Sequence, residues 1–150
     1  MPQSHASIHV HLVFSTKDRR PLLNESIRSD LHAYMATILK NLDCPAIILN
    51  SVEDHIHVLF RLSRTLTLAK IVEVVKKTTS RWIKNQAPEL TDFSWQAGYG
   101  AFSVSSSQID TMRRYIEQQR EHHLKRTFQD ELRQALKRHG LEFDERYLWD

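Results

Sequence analysis

Two apolar runs joined by only two acidic residues constrain this chain most. Ala46-Ile47-Ile48-Leu49, entered from Pro45 and running to about Val52, is followed by Glu53-Asp54 and then by His55 to Leu62. Short runs rich in β-branched residues read as strands, and a joint this short makes the pair an antiparallel hairpin. Side chains two apart on a strand share a face, so His55 and His57 stand side by side on it.

Further elements fall on either side of this hairpin. Ile8 to Phe14 reads as a first strand, and the basic loop Lys17 to Pro21 follows it. Asn24 or Ser26 can cap a helix whose apolar residues, Ile27, Leu31, Met35, Ile38, Leu39 and Leu42, recur at three- and four-residue spacings. Thr67 can cap the next, with Leu68, Ile71, Val72 and Val75 as its buried stripe, running through Trp82 and Ile83 and stopping before Pro88. Phe93 to Trp95 and then Tyr99 to Val104 supply the last strand. A helix opened by Ser106 or Ser107 runs through Ile109, Met112 and Ile116 to His123; Thr127 caps a final one reaching His139, where Gly140 is a natural terminator. The order βαββαβ plus C-terminal helices predicts an α+β, ferredoxin-like fold: one antiparallel sheet with helices on one face. No repeat or boundary divides the chain, so residues 1–150 read as a single domain.

Composition narrows the class. The lone Cys44 excludes an internal disulfide framework and fits a reducing compartment. No apolar run approaches the roughly 20 residues that span a bilayer, and no charged-then-apolar leader opens the chain, so a cytoplasmic protein without membrane contact is expected. The net charge is only +3, but its basic residues cluster. Lys17, Arg19 and Arg20 lie in the first loop, and Lys76, Lys77 and Arg81 on the second helix, with Lys70, Lys84 and Arg113-Arg114 nearby. One such cluster is an ordinary solvated face; their recurrence points to a phosphate-lined groove.

Two imidazoles side by side are half of a metal site. Tyr115 and Gln119 lie at i and i+4 in Tyr115-Ile116-Glu117-Gln118-Gln119, neighbours on one helix face at the edge of the stripe Ile109, Met112, Ile116. A polar amide beside a tyrosine is poor core design and good site design. Two imidazoles and an amide oxygen can hold a divalent metal with open positions, and a tyrosine beside it can be a nucleophile. His9-Val10-His11 has the same spacing as His55-Ile56-His57, and spacing alone does not choose between the pairs. The hairpin position and the acidic residues just upstream favour His55 and His57. Glu53 and Asp54 read as turn residues or supports of the ligands, and His122-His123 as helix surface or compensation of the helix C-terminal dipole. One cysteine and a carboxamide argue against structural zinc; imidazole, amide and water suit magnesium or manganese at a phosphate.

Four segments resemble a known family. They are His11-Leu12-Val13-Phe14-Ser15-Thr16-Lys17 with Arg19-Arg20-Pro21; Glu53 to Phe60; Lys77-Thr78-Thr79-Ser80-Arg81-Trp82; and Trp95 to Ser105 leading into Tyr115 to Gln119. Together they resemble the single-tyrosine transposases of the insertion-sequence 200/605 type, within the His-hydrophobe-His endonuclease superfamily. The Gly98-Tyr99-Gly100-Ala101-Phe102-Ser103 segment resembles a chromosomal or REP-associated branch as much as mobile copies. The resemblance implies that His55 and His57 are metal ligands, that Gln119 completes the site, and that Tyr115 is the nucleophile. It implies Mg2+ or Mn2+, single-stranded DNA marked by hairpins, a 5′-phosphotyrosine intermediate, rejoining without an external energy source, and a homodimer. Lys17, Arg19, Arg20, Lys76, Lys77 and Arg81 are the expected DNA contacts. Three other readings stand beside it: a domesticated repeat-processing nickase of the same chemistry, a non-catalytic ferredoxin-like nucleic-acid-binding module, and a phosphohydrolase using activated water.

Overall fold

The computed structural model describes residues 2–150. Four strands form one sheet: β1 (His9–Ser15), β2 (Ala46–Ser51), β3 (His55–Arg61) and β4 (Gly100–Val104). The helices are α1 (Glu25–Asn41), α2 (Leu68–Gln86), α3 (Ile109–Glu117), α4 (Gln119–Lys125) and α5 (Phe128–Arg138). The strand order is β2-β3-β1-β4 and every pair is antiparallel, so the expected ferredoxin-like α+β arrangement is the one found.

Period-two alternation assigns the two faces of the central strands. Val10, Leu12 and Phe14 of β1 and Ile56, Val58 and Phe60 of β3 join one core beneath α1 and α2, which contributes Ile71, Val75 and Ile83. The opposite face carries Val13 and Phe102, packed against Phe128, Leu132 and Leu136 of α5, and Leu59 and Val104, packed against Ile116 of α3. The crossover helices thus share one face as expected, and the C-terminal helices take the other. Covered on both sides, β3 buries every residue from His55 to Phe60.

Thr67 and Thr127 cap as their sequence positions predict: their hydroxyls accept from the Lys70 and Asp130 amides. Asn24 takes the cap position of α1 without a side-chain capping bond. Gly140, at φ +66°, ends the chain's last helical turn in the left-handed region. Two expectations differ from the structure. Phe93 to Trp95 is not a strand: only the isolated bridge Thr16–Trp95 reaches the sheet. That segment is held by side chains, since the Trp95 indole N–H donates to Thr79 Oγ1 at 3.0 Å and its ring meets Phe14 and Phe93 edge-on. The helix expected from Ser106 to His123 breaks at Gln118. Asn50 of β2 explains the break, because its Nδ2 donates to the carbonyls of Ile116 and Glu117 and so supplies the partners that a continuing helix would provide.

Phe60 is fully buried between the sheet and the α1–α2 layer. Phe60→Ala is expected to lower unfolding stability by about 3–5 kcal/mol in urea titration; a loss below about 1 kcal/mol would mean that this layer is not the core.

Candidate functional site

The face of β3 turned towards the C-terminal helices carries His55 and His57, 0% and 2% exposed. Ring nitrogens buried this deeply need partners, and each imidazole has one on either side. On the Nδ1 side, His55 donates to Asp54 Oδ1 at 2.7 Å. His57 Nδ1 lies 2.7 Å from His11 Nε2 of the neighbouring strand, with the two rings stacked. On the Nε2 side, both imidazoles lie 3.3 Å from the same atom, Oε2 of Glu131 on α5. Gln119 Oε1 is 3.4 Å from His55 Nε2. The Tyr115 hydroxyl donates to the other oxygen of Glu131, Oε1, at 2.8 Å.

The electrostatics follow from this packing. Burial alone lowers the His55 pKa, but its hydrogen bonds to the Asp54 and Glu131 carboxylates outweigh it and raise the value to about 9. His57 falls to about 4, mainly by burial and despite Glu131. His11 falls to about 3, by burial and the adjacent His57. Burial would raise the Glu131 carboxyl, yet its bonds to His55 and His57 hold it well below the usual carboxylate range. The Tyr115 phenol is pushed up, first by burial and then by the Glu131 charge.

This donor set fits a divalent metal. His55, His57 and Glu131 bring ligand atoms within 4.8 Å of one another, all buried. Gln119 is fully buried and its Nε2 has no hydrogen-bond partner, so satisfying its own amide does not explain its burial, whereas its oxygen faces the imidazoles. Ligand histidines ordinarily use their second nitrogen on a carboxylate or another acceptor, and Asp54 and His11 stand ready in that role. Asp54, His55 and His123 form a second, overlapping group.

The structure therefore brings Tyr115, His55, His57 and Gln119 together, although Tyr115 and Gln119 reach the site from α3 and α4 across the break rather than from one continuous helix. Sequence reasoning missed His11 and Glu131. His11 had a signal, the repeated His-x-His spacing; it lies beside the other pair as a support. Glu131 had none, since an acid in the first turn of a helix reads as a complement to the helix dipole. His122 and His123 are not helix surface: His122 stacks on Tyr115, with centroids 4.5 Å apart, and His123 packs against His55.

The basic residues separate into groups. Lys17 and Arg20 are exposed in the loop after β1; Arg19, φ 56°, places its guanidinium over Trp149, and Arg20 pairs with Asp92. Lys77 and Arg81 are exposed, but α2 covers the face of the sheet opposite to the histidines, so the structure does not bring them beside the site. Lys76 is engaged within the chain. Its Nζ donates to the carbonyls of Gln96, Ala97 and Gly98, using all its donors, and burial lowers its pKa to about 8. On the histidine face, a cavity of about 160 Å³ lies beside Tyr115, bounded by His11, His57, Phe102, Glu131, Arg126 and Arg138. Among the described residues no helix is long and apolar enough to cross a membrane.

Comparisons with known proteins bear on the family and the fold. A family model described as "Transposase IS200 like" matches residues 4–119. No curated protein sequence matches the chain. One similar solved structure is that of a candidate transposase from Deinococcus radiodurans R1, at 20% identity and a TM-score of 0.64, covering 79% of this chain and 98% of that one. Another is a REP-associated tyrosine transposase bound to a REP hairpin, at 13% identity and a TM-score of 0.59, covering 82% of this chain and 74% of that one. At these identities the two structures speak for the fold.

His11→Ala removes the partner of His57 Nδ1 and is expected to weaken Mn2+ binding about 10- to 100-fold in calorimetric titration. His9→Ala, on the same strand but outside the cluster, is expected to leave it unchanged. Equal effects from both would mean that His11 only packs.

Proposed function

The chain belongs to the IS200-like transposase family, and we propose that it cleaves and rejoins single-stranded DNA at hairpin-marked ends through a 5′-phosphotyrosine on Tyr115, with Mg2+ or Mn2+. The observation that carries this reading is the convergence of the Tyr115 hydroxyl and both imidazole Nε2 atoms on one buried carboxylate, with the Gln119 carbonyl oxygen beside His55 Nε2. A nucleic-acid-binding module without chemistry has no use for that arrangement, which buries polar groups that its fold does not need.

In the proposed reaction the phenol oxygen attacks the scissile phosphorus in line, the bond to the 3′-oxygen breaks, and that oxygen leaves as a hydroxyl. The covalent bond to Tyr115 conserves the phosphodiester energy, so a second 3′-hydroxyl can reverse the step and join new ends. A phenol with a pKa raised above its ordinary value of about 10 needs a proton acceptor, and Glu131 Oε1 is already its hydrogen-bond partner. A divalent metal held by His55, His57 and Gln119 would supply Lewis-acid polarisation of the phosphate oxygens. Arg126 and Arg138, bordering the cavity at Tyr115, are placed to meet phosphates next to the break. Lys17, Arg19, Arg20, Lys77 and Arg81 would hold phosphates further along the hairpin, while Lys76 secures the loop ahead of β4. A homodimer belongs to the proposal; within one chain the Tyr115 hydroxyl shares the Glu131 carboxylate with His57.

The decisive test is incubation with labelled single-stranded hairpin DNA and Mn2+. Wild-type protein is expected to give a denaturation-resistant adduct and Tyr115→Phe none, with hairpin binding retained. Cleavage at the wild-type rate by Tyr115→Phe would sink the tyrosine assignment and favour activated water. A separate measurement addresses binding. Neutralising Lys77 and Arg81 together is expected to flatten the log–log salt dependence of hairpin affinity by about 0.7 to 0.9 for each phosphate that the protein ceases to neutralise. An unchanged slope would make these charges an ordinary solvated face.

A further inference from the structure

We propose that Glu131 of α5 is itself a ligand of the divalent metal, through Oε2, while its Oε1 holds the Tyr115 hydroxyl, so that one carboxylate ties the nucleophile to the metal centre. The inference deepens the metal-assisted reading and rests on it. Residues 4–119 of the family match end at Gln119, so α5 lies outside the part of the chain that the match covers.

Glu131 Oε2 is 3.3 Å from both imidazole Nε2 atoms, closer than the 3.4 Å between His55 Nε2 and Gln119 Oε1. It is also the only carboxylate, among the described residues, that joins both histidines in a ligand-sized group; Asp54 meets His55 on its other nitrogen. Two imidazoles and one carboxylate form a recognised set for divalent first-row metals, one that leaves positions open for substrate oxygens. Hard divalent cations prefer a carboxylate oxygen to a neutral amide, which gives Glu131 the stronger claim of the two.

The approach of α5 is built into the fold. Phe128, Leu132 and Leu136 bury on Val13 and Phe102. Thr127 caps the helix one turn before Glu131. Gly100 leaves room for Leu132, because a Cβ there would lie 2.8 Å from Leu132 Cδ1. Glu131 is 7% exposed, and its two oxygens face different partners, the histidines and the phenol. A carboxylate that only neutralised His55 would need neither His57 nor Tyr115.

The test is Mn2+ binding to the full chain without DNA, read from the electron paramagnetic resonance signal of free Mn2+. Glu131→Gln is expected to raise the Mn2+ Kd at least tenfold, and Glu131→Asp to restore part of the affinity. His9→Ala, outside the cluster, is expected to leave it unchanged. Melting curves without metal check that each variant folds, and the Asp variant keeps the carboxylate if Gln does not fold. Adduct formation at saturating Mn2+ reads the second half of the proposal: Glu131→Gln should slow it at least tenfold with hairpin affinity unaltered. Wild-type Mn2+ affinity in Glu131→Gln, or no Mn2+ binding by the wild-type chain, overturns the ligand role. An undiminished adduct rate overturns the hold on Tyr115. Because the metal titration uses no DNA, a wild-type chain that forms no adduct would fail the strand-transfer reading and leave this result standing.

Discussion

Two imidazoles buried on a central strand present four ring nitrogens that water cannot reach, and the second half of the chain is arranged around their needs. An unpartnered buried polar group costs about 1–3 kcal/mol, so His55 and His57 are tolerable only because Asp54, His11, Glu131 and Gln119 come to them. Those partners arrive from the turn before β3, from β1, from α5 and from α4. Each is long-range or positioned by a long-range contact. The site is thus a consequence of the sheet being covered on both faces: helices on the crossover side build the core, and helices on the other side bring the functional groups.

The interruption at Gln118 shows how local structure yields to that requirement. An unbroken helix would keep Tyr115 and Gln119 one turn apart on one face. Asn50 instead takes the last carbonyls of α3, and the chain restarts as α4 with Gln119 fully buried. Tyr115 then meets the carboxylate while Gln119 meets His55. Spacing at i and i+4 singled out Tyr115 and Gln119 for a geometrical reason that only partly applies.

Charge tells a similar story. Lys76, Lys77 and Arg81 look alike as a basic cluster, yet burial turns Lys76 into a three-carbonyl staple and leaves the others exposed on the face away from the histidines. Exposed charges within a Debye length of about 8–10 Å act on a partner, whereas distant ones are screened. Arg126 and Arg138 border the cavity at Tyr115, and their Lys125-Arg126 and Lys137-Arg138 pairs look no different in the sequence from the other basic pairs.

Periodicity determined the strands, helices and caps, because which face a residue takes depends on near neighbours: alternation placed Ile56, Val58 and Phe60 opposite His55 and His57, and threonine hydroxyls set helix starts at Thr67 and Thr127. The same logic, with the residues resembling a known family, picked out His55, His57, Tyr115 and Gln119. Phe93 to Trp95 escaped it because an aromatic run reads the same whether its partners are strands or side chains. Only the tertiary structure decided that His11 supports His57 and that Glu131 joins Tyr115 to the imidazoles, pairings 46 and 74 residues apart for His57 with His11 and with Glu131. Strand register and helix docking set such distances, and neither leaves a mark in the local pattern around a single acid on a helix.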